Sequence, residues 1–100
     1  MRVIFGPRAG WQPVRLRIYL AETAGRRTAL AYEKRIIARC RKLRTFPHRG
    51  TRRDDIMPGL RLIGCERRVT IAFIVAGDRV VIEGVFYGGQ DILAALSPTS

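Results

Sequence analysis

The spacing of apolar residues changes character along the chain. Residues 2–5 form a short run that Gly6 and Pro7 cut off, the pattern of a strand ended by a turn. Residues 14–20 carry two patterns at once. Val14, Leu16, Ile18 and Leu20 alternate with Arg15, Arg17 and Tyr19, which by period alone leans towards a half-buried strand. The same stretch gives a helical stripe of Leu16, Tyr19, Leu20, Thr23 and Ala24, with Gly25 as a natural stop and Pro13 suited to a first helical turn or a kink.

From Thr28, a plausible N-cap, Ala29, Tyr32, Ile36, Cys40 and Leu43 recur at three and four residues and predict one amphipathic helix. Lys34, Arg35, Arg39, Arg41 and Lys42 then fall on its opposite and flanking surfaces. A helix of that length is marginal alone in water, so its stripe must dock. Phe46-Pro47 ends it, and residues 47–59, with two Pro, two Gly and Asp54-Asp55, read as a loop. Residues 60–65, 69–75 and 80–87 are β-rich, with Gly77-Asp78 as a tight hairpin between the last two. The order is strand, one or two helices, then a three-stranded antiparallel meander, an α+β pattern. With helices on one face, the other face is expected to be partly open, and Arg61, Thr70, Glu83 and Tyr87 are its candidate polar residues.

One hundred residues, 47% apolar and 27% charged, suit a single domain over 1–100 with a C-terminal tail expected at 91–100, and exclude a disordered or fibrous chain. The longest apolar run, residues 69–76, is far short of the ~20 residues of a spanning helix, and no signal-peptide core follows Met1, so no membrane role and a cytoplasmic location are expected. Nineteen basic against eight acidic residues give +11, and seventeen of the nineteen are Arg. Residues 1–53 carry net +13 and residues 54–100 net −2, while residues 34–53 hold nine cations and no acid. Such a field attracts nucleic acid, anionic lipid or an acidic protein.

Catalytic constellations are scarce. His48 is the only histidine, no nucleophile elbow accompanies it, and Gly88-Gly89 lacks the Lys and Ser or Thr of a phosphate loop. Cys40 and Cys65 lack ligand spacing, which points to reduced core residues and to neither a metal nor a cofactor. Asp54 beside Arg52 and Arg53 reads as a surface ion pair. What is left is metal-free phosphodiester chemistry: Arg61, Arg67, Arg68, Tyr87 and His48 are of the types that neutralise a transferring phosphoryl group and move a 2′-hydroxyl proton.

Phe46-Pro47-His48-Arg49-Gly50, Arg53-Asp54-Asp55-Ile56, Pro58-Gly59-Leu60-Arg61 and Val85-Phe86-Tyr87-Gly88-Gly89-Gln90-Asp91, in that order, resemble the ParE branch of the ParE/RelE superfamily, toxins of bacterial type II toxin–antitoxin systems. Pro7-Arg8-Ala9 and Tyr19-Leu20-Ala21 resemble its strand-to-helix passage and the close of its first helix. Gln12 and Pro13 depart from the family's usual Asp and Leu. The resemblance implies a β-α-α-β-β-β fold, two helices on a twisted antiparallel sheet, and so a helix rather than a strand at residues 14–20. It also implies a cognate antitoxin with an acidic tail, operator DNA reached only through that antitoxin, and DNA gyrase as target. The partner-binding residues expected from the charge pattern are Arg35, Arg39, Arg49, Arg52, Arg53, Arg61, Arg68 and Tyr87. The alternative on this fold is a ribosome-dependent mRNA endonuclease using Arg61, Tyr87 and His48. Against it, two cations of RelE-like nucleases fall near Thr70 and Phe86 here. A further alternative is a non-toxic basic RNA-binding module using residues 34–53.

Overall fold

The computed structural model describes residues 1–7, 9, 12–66, 68–88 and 92–96. Arg8, Arg67, Gly89, Gln90 and Asp91, named above, lie outside them. The chain runs β1 (Arg2–Phe5), α1 (Gln12–Ala24), α2 (Arg26–Lys42), β2 (Thr51–Arg52), β3 (Leu60–Cys65), β4 (Val69–Ala76), β5 (Arg79–Tyr87) and α3 (Ile92–Leu96).

Residues 14–20 are helical, as the resemblance implied and against the lean of the alternating pattern. The side chains give the reason. Leu16 and Leu20, one turn apart, are buried, whereas Ile18, which the alternation would also bury, is 53% exposed. Pro13 lies in the first turn, where its missing N–H costs no helical hydrogen bond. The second helix begins earlier than a Thr28 cap would allow. Gly25 occupies the N-cap, and its carbonyl already accepts the Ala29 N–H at 3.1 Å, so Thr28 is inside the helix. Arg26 and Arg27 are good helix formers and extend the first turn backwards without a side-chain cap. At the other end Arg39, Arg41 and Lys42 sit on the negative pole of the helix dipole.

Five strands form one sheet in the order β1-β5-β4-β3-β2. The meander β3-β4-β5 is antiparallel as its turns foretold, and β2, inside the expected loop, adds two residues beyond β3. The first strand pairs in parallel with the last, Val3 opposite Val80 and Phe5 opposite Ile82, which makes the sheet mixed rather than wholly antiparallel. Between Ala72↔Gly84 and Phe73↔Ile82 the register slips by one residue, leaving Glu83 as the extra residue of a bulge.

Both faces of the sheet are covered. Leu16, Leu20, Ala29, Ile36, Cys40 and Leu43 of the helix pair pack on Ile71, Phe73, Val80 and Ile82. On the back, Ile56 and Leu96 close over Leu60, Ala72 and Phe86. Gly84 makes that second cluster possible, because a Cβ there would lie 2.4 Å from the Phe86 ring. The expectation of a partly open back face is therefore corrected: its apolar residues are covered by the turn at residues 53–58 and by α3, which occupies part of the expected tail. The candidate polar residues also fail to share a face. Arg61 pairs with Phe73 on the helix side, Tyr87 packs against the helix-side core, Thr70 alternates to the back, and Glu83 sits in the bulge.

Candidate functional site

The helical spacing of α2 sets out the most developed surface. Tyr32, Arg35, Arg39 and Lys42 follow one another at three, four and three residues, so they line one flank of the helix. Facing them is the end of β3. Together Arg35, Arg39, Lys42, Gly64, Cys65 and Glu66 enclose a groove of about 360 Å³. Gly64, opposite Thr70 on β4, borders it with backbone alone.

One end of the groove is tied by Glu66, the one non-glycine residue with a left-handed backbone (φ 49°) among the described residues. Its carboxylate accepts Arg35 Nε–H at 2.7 Å, its carbonyl accepts the Tyr32 hydroxyl at 3.0 Å, and the Arg68 N–H donates to the same carbonyl. The Arg35 guanidinium lies 5.3 Å from the Tyr32 ring centre. Burial raises the Tyr32 pKa, reinforced by Tyr87, Glu66 and Cys65 and opposed by Arg35, so Tyr32 stays a hydrogen-bond donor. Burial and Glu66 likewise push the Cys65 thiol up, with Arg39 and Arg35 opposing. Arg35 thus has a carboxylate partner, whereas Arg39 and Lys42 have none among the described residues.

Beside the groove, Tyr87 and Tyr19 meet at a tilt of 55° with ring centres 6.1 Å apart, and Arg68 stands 5.6 Å from the Tyr87 centre. This joins Arg35, Arg68 and Tyr87 of the expected set into one neighbourhood through Glu66, with Arg39 in the adjoining groove. The remaining members lie elsewhere. Arg49 sits 5.7 Å from the ring of Phe46, itself 59% exposed. Arg52 and Arg53 are gripped by Asp54 and Asp55 through two hydrogen bonds each, the surface pairing read from sequence. Arg52 also faces Arg61 across β2 and β3, a like-charge pairing that Asp54 offsets. Asp54 additionally accepts the Gly59 N–H at 2.9 Å, and the Arg52 hydrogen bond and this N–H hold its carboxyl below the usual range.

The nuclease candidates are not brought together. Tyr87 is level with Val69 and Cys65, four residues along β3 from Arg61, so strand geometry separates the two Cα atoms by roughly 16 Å. His48 is exposed in the segment after α2. Thr70 and Phe86, the two positions that lack cations, are direct cross-strand partners, and Phe86 is buried. Among the described residues no group of three or more His, Cys, Asp or Glu side chains could hold a metal, and no helix is long and apolar enough to cross a membrane. Cys40 and Cys65 are free and buried.

Three residues of this neighbourhood lie beyond the set expected from sequence: Tyr32, whose spacing places it in the core stripe, Tyr19, which belongs to the first helix, and Glu66, which no pattern marks. The spacing from Tyr32 to Lys42 was a visible signal for the helix flank. The Glu66 contact, 31 residues from Arg35, had none.

A helix pair packs on one face of a mixed sheet whose first strand is a parallel edge strand. A solved structure agrees: a chain of the chromosomal ParDE TA system from P. aeruginosa superposes with a TM-score of 0.77, covering 88% of this chain and 96% of its own at 20% identity. No family model matches the sequence, and no curated protein matches it.

Proposed function

We propose that this chain is the toxin of a ParE-like toxin–antitoxin pair, acting on DNA gyrase and held inactive by an antitoxin whose acidic tail meets the flank of α2. The observation that carries the reading is the superposition on the ParDE chain over nearly the whole length. The groove supports the antitoxin half of it: Arg39 and Lys42 present cations without carboxylate partners among the described residues, and an acidic segment is the ligand that such a surface selects. The separation of Arg61 from Tyr87, and the Thr70–Phe86 pair, favour gyrase over mRNA cleavage.

Induced expression of the chain in a bacterial host tests this directly. Growth arrest with gyrase-linked DNA breaks and intact mRNA is the expected result, and arrest with freshly cut mRNA and unbroken DNA overturns the target. Undisturbed growth removes both.

A further inference from the structure

The outer face of α2 carries a second row of cations, distinct from the flank groove. Arg27, Lys34 and Arg41 recur every seven residues and are all exposed. Seven residues fall only about 20° short of two helical turns, so the three side chains stand nearly in line at intervals of ~10.5 Å. None of the three has an ion-pair partner among the described residues. The one acid on α2, Glu33, points instead to Arg17 of α1 at 3.2 Å. Between the cations lie Leu30, Ala31, Ala38 and the half-buried Ile37.

We propose that this row binds the phosphate backbone of a nucleic-acid duplex, a function separate from antitoxin capture. A line of about 21 Å on a convex helix suits a rod that bears one charge per ~1.7 Å of its axis. The face does not suit single strands, which need exposed aromatic platforms: the one aromatic residue of α2, Tyr32, is half-buried under Arg35. Nor does it suit a membrane surface, because Leu30, 37% exposed, is its one exposed large apolar side chain, Ile37 being half-buried. With no side chain aimed at base edges, binding is independent of sequence.

Fluorescence anisotropy on the isolated full chain, with labelled DNA duplex, RNA duplex and single strand of one mixed sequence, tests this across a salt series. Three phosphate contacts give a slope of log K against log salt of at least about −2.7 on a duplex. R27S/K34S/R41S should flatten that slope by about 2.7, R27K/R41K should retain it, and R15S/R79S should leave it unchanged. Should the triple variant lose its fold by circular dichroism, R27S and K34S singly should each flatten the slope by about 0.9. The tighter of the two duplexes identifies the natural backbone as DNA or RNA. An unaltered slope in the triple variant, equal flattening per charge in R15S/R79S, or single strand bound more tightly than duplex overturns the proposal. The readout needs no toxicity, so it stands or falls apart from the growth experiment.

Discussion

Gly50 shows how one residue fixes the approach to β2. Its φ is +83°, and a Cβ there would lie 2.3 Å from the Leu62 carbonyl oxygen, so the backbone passes where no side chain fits. G50A therefore carries both left-handed strain and a clash, and should cost at least about 1 kcal/mol of stability, read as a lower denaturant midpoint at unchanged m-value. Cys40 makes a different prediction. Burial pushes its thiol from 9.0 up to about 12. In the unfolded chain the thiol ionises first, so the unfolded state binds fewer protons between those values and stability falls as pH rises through that window. Denaturation of C40A against pH should show a shallower decline from about pH 9 to 12 than the parent. Equal slopes would mean that the thiol is solvated in the native state.

At the scale of elements, the back-face cluster is small enough for one residue to matter. Leu96, 2% exposed, anchors α3 over Phe86 and Leu60, and L96A should cost roughly 2 kcal/mol or more by the usual range for buried leucines. Thermal unfolding would show it, and a change below a few tenths would mean that α3 is dispensable to the sheet. Asp54 acts more locally. D54A removes the partner of Arg52 and the acceptor of the Gly59 N–H, leaving Arg52 facing Arg61 alone. Amide exchange at Thr51 and Arg52 should quicken while β4 and β5 stay protected.

Much of this arrangement was legible in the residues. The three meander strands and the Gly77-Asp78 turn stood out because apolar β-branched runs between turn residues admit few other readings. Residues 14–20 did not, since their apolar positions satisfy periods of 2 and 3.6 together, and only tertiary burial of Leu16 and Leu20 separates the two. The two-residue strand β2 had no period to detect. Covering of the back face was equally hidden, because Ile56 and Leu96 meet across 40 positions of sequence. At the site, the α2 flank was readable from its spacing, whereas Glu66, reaching Arg35 and Tyr32 from a turn, belongs to the folded state alone.

For the whole molecule, charge placement is the controlling feature. Seven of the fifteen cations of residues 1–53 stand on α2, and six of these form two surfaces: the flank groove and the outer row. If the flank captures an acidic antitoxin, replacing Arg35, Arg39 and Lys42 with Ser should slow association severalfold at low salt and affect dissociation less, since rim charges act mainly on encounter. Stopped-flow mixing at two ionic strengths would decide it, and an unchanged on-rate at low salt counts against that surface.

The pairing of β1 with β5 has a consequence for biosynthesis. Val3 and Phe5 find their hydrogen-bonding neighbours only in Val80 and Ile82, almost at the far end of the polypeptide. At about 5–20 residues per second a ribosome needs roughly 4–15 s to travel between them. Throughout that interval the opening segment waits unpartnered, so closure of the sheet at its β1 edge is timed by translation itself.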